Sequence, residues 1–132
     1  LTRLVGSEMC IRDRSSIISE ILKIPIFFSN NLTEWSGINN WIGKTIEEIK
    51  SSQEYSERKS SLDLSPVEET LKSVYERVDI EYKNNVNTLF VSHQDTIRAF
   101  TYFFTNGENF SMYRPKNCEI QFIDNNIVRT LT

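Results

Sequence analysis

The sequence predicts an α/β domain built on a mostly parallel sheet. Three features carry that expectation. An apolar run at Leu89-Phe90-Val91 has the continuous character of a strand buried on both faces. Amphipathic helical patterns lie before and after it. A second strand-like pattern, Glu119 to Ile123, closes the chain together with Ile127 to Leu131. Helix, buried strand, helix and further strands in that order belong to layered α/β architectures.

The elements follow in chain order. Ile17, Ile18, Ile21 and Leu22 fall on one face of a helix expected over Ser15 to Leu22, which Pro25 brings to an end. Ile24 to Phe28 reads as a short strand or an extended entry to a loop. Ser29 to Lys44 has no helical period and reads as a surface loop, long enough to be functional. Thr45 and Glu48 form the sequence pattern of a capping box. Ser51 to Ser61 is a polar connection or a frayed helix. Ser65-Pro66-Val67-Glu68 reads as a helix start. Val67, Leu71, Val74, Val78 and Tyr82 follow at steps of four, three, four and four. The helix after the buried strand carries Ile97, Ala99, Phe100, Phe103 and Phe104 inward and stops at Asn106-Gly107. Asp124-Asn125-Asn126 turns a final hairpin.

Composition narrows the function. The 132 residues suffice for one domain, and a net charge of −3 without a basic stripe argues against nucleic acid as a partner. No apolar run approaches the roughly 20 residues of a membrane span, and no secretory leader is visible. Cys10 and Cys118 stand far apart, and there is one histidine, so no Cys/His metal site is expected. A reducing, cytoplasmic setting is the simplest reading, with Cys118 expected to be a small buried residue.

His93 stands where the buried strand gives way to a helix. Ligands of open α/β sheets gather beyond the carboxyl ends of strands, and a helix N-terminus attracts anions. A histidine there can clamp a phosphate; it can equally cap the helix or bond within the core.

The surrounding residues favour the first. Val91-Ser92-His93-Gln94-Asp95-Thr96-Ile97-Arg98-Ala99 resembles the second-histidine motif of the histidine phosphatase superfamily, V-S-H-G-x-x-I-R-A, with Gln94 in the place of glycine. Leu32-Thr33-Glu34-Trp35, followed by Trp41-Ile42-Gly43-Lys44-Thr45-Ile46-Glu47-Glu48-Ile49, is similar to that family's L-x-E and G-x-W-E-G-x-T-x-x-E-I segments. Ile42 and Ser36-Gly37-Ile38-Asn39-Asn40 depart from the pattern. Pro66-Val67-Glu68-Glu69-Thr70 to Arg77-Val78 resembles P-x-G-E-S and a helix ending in R-V, without the glycine. Asn117-Cys118-Glu119-Ile120 is similar to a late N-x-S-I turn.

The resemblance implies a three-layer phosphoglycerate-mutase-like domain. It also implies attack by a histidine on small phosphate esters through a phosphohistidine, with no metal and no cofactor. It makes His93 a phosphate clamp, Glu34 the proton donor, and Gln94 and Asn117 contributors to phosphate binding. The short span from Glu34 to His93 leans toward a small phosphatase rather than a mutase.

The nucleophilic histidine of the family's R-H-G motif has no counterpart here, and neither Arg12 nor Arg14 falls in register with its second arginine. Val5 to Arg14 looks like sequencing-adapter read-through. Residues 1–14 are therefore expected to be non-native, 15–132 to be a partial domain with its first strand missing, and the chain to be inactive. The alternatives are a noncatalytic anion-binding module or pseudoenzyme and, further off, a doubly wound signalling domain.

Overall fold

The computed structural model describes residues 1–6, 11–35, 41, 43–53, 55–56, 69–107, 114–124 and 127–131. Among these lie strands β1 (Arg3–Gly6), β2 (Ile26–Phe28), β3 (Thr88–Val91), β4 (Ile120–Asp124) and β5 (Ile127–Leu131). The helices are α1 (Arg12–Leu22), α2 (Ile46–Lys50), α3 (Leu71–Asn84) and α4 (Gln94–Phe104), and a 3-10 turn spans Asn30–Leu32. The α/β class is as expected.

β1 lies at the centre of a three-stranded parallel sheet of order β2-β1-β3. Leu4, Val5 and Gly6 pair with Ile26, Phe27 and Phe28 on one side and with Leu89, Phe90 and Val91 on the other. This corrects the expectation that the first strand, before Ser15, is missing. Leu4 and Val5 are buried apolar residues, and both neighbours supply ladder partners, so the segment meets the requirements of a central strand. Helix α1 likewise begins at Arg12, not Ser15.

The face that α1 buries also differs from the expected one. Ile11 and Ser15, one turn apart, are 1% and 0% exposed, while Ile17, Ile21 and Leu22 are exposed. Gly6 explains the choice. A Cβ built there would stand 2.6 Å from the Ser15 Oγ, so the strand and helix approach through their smallest side chains. The helix closes on Lys23 in the left-handed conformation (φ 56°), whose N–H donates to the Ser19 carbonyl, before Pro25 is reached. The Arg12 guanidinium lies over the Phe28 ring, 5.1 Å from its centroid.

Helix α3 starts later than the sequence pattern suggests. Its N-cap is Thr70, whose hydroxyl accepts from the Ser73 N–H at 3.1 Å. The expected start at Ser65-Pro66-Val67-Glu68 falls outside the described residues. Leu71, Val74 and Val78 are buried as the periodicity requires. Each such side chain contributes about 1.5–3 kcal/mol relative to exposure. They join Val5, Leu32, Trp35, Ala99 and Phe100 in one core. Phe100 anchors its aromatic part, with ring centroids 5.6 Å from Tyr75, 5.5 Å from Tyr82 and 5.3 Å from Phe104.

β3 is half-buried throughout, not sealed on both faces. It stands at the edge of the three-stranded sheet. α4 ends as expected: Asn106 takes φ 51° and the Gly107 N–H donates to the Tyr102 carbonyl at 2.8 Å. β4 and β5 form the expected antiparallel hairpin as a separate two-stranded sheet. Its turn residues Asn125 and Asn126 lie outside the described residues. Cys118 is exposed, correcting the expectation of burial, because it occupies a turn with φ 61° rather than the strand that follows. Cys10 lies outside the described residues. No helix among those described is long and apolar enough to cross a membrane.

Candidate active site

The site forms where β3 runs into α4. His93 is the N-cap of α4, with φ −96° and ψ 161°, and its side chain does not cap the helix. The first-turn amides of α4 thus receive no cap from the His93 side chain, and such a helix N-terminus attracts anions. Its Nδ1 stands 3.7 Å from Glu34 Oε2, with the imidazole 19% and the carboxylate 47% exposed. The ring is thus neither enclosed in hydrocarbon nor spent on capping. A proton on the imidazole would make this contact an ion pair; a neutral ring leaves it a polar contact.

Glu34 reaches this position from a segment without regular structure. The Leu32 side chain is buried in the core, 1% exposed. The Leu32 carbonyl accepts from Ser92 Oγ at 2.6 Å, and the Thr33 carbonyl from Thr96 Oγ1 at 2.8 Å. Both donors flank His93 in sequence, so the same few residues carry the imidazole and anchor the carboxylate. Glu34 Oε1 accepts from the Trp35 N–H at 3.0 Å and lies 3.3 Å from Thr96 Oγ1. The Trp35 ring is buried, and its Nε1 donates to the Glu69 carbonyl at 2.6 Å.

From the other side, the Arg77 guanidinium spans Glu69 and the carbonyls of Asn31, Thr33 and Glu34. Motif resemblance alone gives Arg77, Ser92 and Thr96 no role. The signal available was their position inside the matching motifs, at places where small hydroxyl residues and an arginine precede or face a backbone that has no ladder to join.

The other expected residues stand differently. Gln94 begins α4, and its Nε2 donates to the Pro115 carbonyl at 2.8 Å, so the side chain ties the helix start to the approach of the hairpin. Asn117 lies in the exposed turn before β4 and joins none of the bonds just described. The capping box at α2 is formed: the Thr45 hydroxyl accepts from the Glu48 N–H, and Glu48 Oε2 accepts from the Thr45 N–H at 2.7 Å. These hydrogen bonds to the ionised form hold the Glu48 carboxyl below its ordinary range. Residues Ser36 to Asn40 and Ile42 of the same motif lie outside the described residues. No cluster of metal-ligating side chains occurs among those described.

Solved structures share this arrangement of elements. Bacillus stearothermophilus YhfR matches with a TM-score of 0.67 at 17% identity, over 98% of this chain and 71% of that one. A mycobacterial protein titled hydrolase 1 matches with a TM-score of 0.73 at 13% identity, over 89% and 66%. The alpha-ribazole phosphatase from Shigella flexneri matches with a TM-score of 0.66 at 15% identity, over 96% and 70%. The chain thus spans about two thirds of the length of each, and likeness at these identities establishes the fold. No curated protein sequence matches the chain. The family model for the histidine phosphatase superfamily (branch 1) matches residues 12–126. That span takes in α1, the Glu34 segment, the His93 turn and the hairpin's first strand, and it assigns the chain to the histidine phosphatase superfamily, branch 1.

Proposed function

We propose that this chain supplies the phosphate clamp and the proton donor of an enzyme that cleaves small phosphate monoesters. The observation that carries this reading is the 3.7 Å approach of Glu34 to His93 at the mouth of α4. His93 donates a hydrogen bond to a non-bridging phosphoryl oxygen, and the first-turn amides of α4 add partial positive charge beside it. Gln94 contributes its backbone N–H, and Asn117, in the turn before β4, is assigned to the rim by motif resemblance. The Glu34 carboxyl gives its proton to the ester oxygen as the P–O bond breaks. The phosphoryl group passes to a nucleophilic imidazole and from there to water. An alpha-ribazole phosphatase and a glucosyl-3-phosphoglycerate phosphatase are among the structural relatives, which favours small phosphate esters as substrates.

His93 is the only histidine among the 132 residues, and it cannot be clamp and nucleophile together. These residues by themselves therefore bind phosphate without turning over esters. Loss of a single preorganised donor already costs about 3–4 kcal/mol of barrier in a well-studied case, and absence of the nucleophile removes the covalent step. The same fact favours a second reading, a noncatalytic anion-binding module.

Hydrolysis of an aryl phosphate is the test, with His93→Ala as control. The expected rates are indistinguishable, and turnover above the control refutes the inactive reading. Titration with inorganic phosphate, followed at the His93 ring protons by NMR, tests the clamp. Signals that stay fixed at saturating phosphate refute it.

A further inference from the structure

We propose that Arg77 is the positioning residue of this site, holding the Glu34 carboxylate in reach of His93. The proposal rests on the phosphate reading above. It joins three sequence motifs that otherwise look independent: Glu69 fixes Arg77, Arg77 fixes the segment carrying Glu34, and Glu34 stands beside His93.

The geometry is specific to a guanidinium. Arg77 Nε and Nη2 meet the two Glu69 carboxylate oxygens at 2.6 and 3.2 Å, a side-on fork. The outer nitrogens meet main-chain oxygens: Nη1 donates to the Asn31 carbonyl, and Nη2 reaches the Thr33 and Glu34 carbonyls at 2.9 and 3.4 Å. The side chains of Arg77 and Glu69 are only 16% and 20% exposed. Ser92 takes the one carbonyl of this run that Arg77 does not reach, that of Leu32. Four consecutive carbonyls, 31 to 34, are thus bound by side chains from α3, the end of β3 and α4. A backbone that leaves its 3-10 turn at Leu32 and then belongs to no helix or sheet is given the definition of one.

This is positioning and not only general stability, because the upstream part of the segment has anchors of its own. Glu81 Oε1 accepts from Ser29 Oγ and from Asn31 Nδ2, and Leu32 is locked in the core. Loss of Arg77 leaves these in place and weakens the hold on the two residues that follow: the Thr33 carbonyl keeps its bond from Thr96 Oγ1, and the Glu34 carbonyl loses its bond from Nη2. The Trp35 amide is the reporter, since it donates to the Glu34 carboxylate.

The experiment compares the unsubstituted chain with Arg77→Gln and Arg77→Lys. Hydrogen exchange is read at the Trp35 amide, with amides inside α3 and α4 as internal references. Inorganic phosphate is titrated in parallel at the His93 ring. Arg77→Gln is expected to speed Trp35 exchange at least tenfold while the helical amides keep their protection, and to raise the apparent phosphate Kd at least threefold. Arg77→Lys keeps a charge beside Glu69 but offers a single compact head. It is expected to recover the melting temperature without recovering Trp35 protection or phosphate affinity. Unchanged Trp35 exchange in Arg77→Gln overturns the proposal, as does loss of protection spread evenly through α3 and α4, or full recovery of both readouts by lysine. Freed Trp35 exchange in a protein whose His93 signals never answer to phosphate supports Arg77 as the holder of Glu34 and overturns the phosphate reading instead.

Discussion

A methyl group at Gly6 tests the centre of the sheet. Gly6 pairs with Phe28 on one side and Val91 on the other, so its backbone cannot move without disturbing both ladders. An alanine Cβ would meet Ser15 Oγ at 2.6 Å and Ser15 Cβ at 3.3 Å. Ser15 is fully buried on the first turns of α1 and has nowhere to go. Overpacking of this kind costs about 1–3 kcal/mol. For a chain of this size each kcal/mol lowers the melting temperature by roughly 3–5 °C. The Ser15 hydroxyl has no hydrogen-bond partner among the described residues. Ser15→Ala alone is therefore expected to be neutral or stabilising by up to about 1 kcal/mol. In that background the closest clash is gone, and Gly6→Ala should cost at least about 1 kcal/mol less than in the unsubstituted chain, a coupling expected only of residues in contact. Urea unfolding of the four proteins measures the cycle. A neutral Gly6→Ala, or strict additivity, refutes the packing of β1 on α1 and with it the central place of residues 3–6.

Two further outcomes follow from the core and from a cap. Phe100→Ala removes a ring that is 5% exposed and in contact with three other aromatics; a loss of about 3–5 kcal/mol in urea unfolding is expected, and less than 1 kcal/mol would show that α3 and α4 are not docked through it. The Glu48 carboxyl is held below its ordinary range by its bonds to Thr45; its contribution is present above the ordinary glutamate range and is lost as pH falls through the lowered value. A Glu48→Gln variant should therefore lose less stability on acidification than the unsubstituted chain, and parallel acid profiles would contradict the capping box.

Much of the fold was legible because burial and period agree along the chain. Leu71, Val74 and Val78 fall at helical spacing and are buried, and Asn106-Gly107 closes its helix with the backbone those residues favour. The expectations that failed did so for local reasons. The first strand was expected to be missing, yet Leu4, Val5 and Gly6, two apolar residues and a glycine, are all a short central strand requires when both neighbours offer ladders. The isoleucine face of α1 was legible as amphipathic, but the choice of which face to bury was made by a contact distant in sequence, between Gly6 and Ser15. Motif resemblance singled out His93 and Glu34, which the fold brings within 3.7 Å of each other; the network that seats Glu34 was not legible. Hydrogen bonds from Arg77, Ser92 and Thr96 to carbonyl oxygens involve atoms that every residue possesses, so no residue pattern in the accepting segment announces them.

Gln94 stands where relatives of the resembled motif have glycine, and the backbone there is helical, so the position asks for no special freedom. What the longer side chain adds is a single strut from the mouth of the site to Pro115. The start of α4 is thereby coupled to the chain leading into the strand pair downstream. A change around Pro115 therefore reaches the first residue of α4 without touching either the imidazole or the carboxylate beside it.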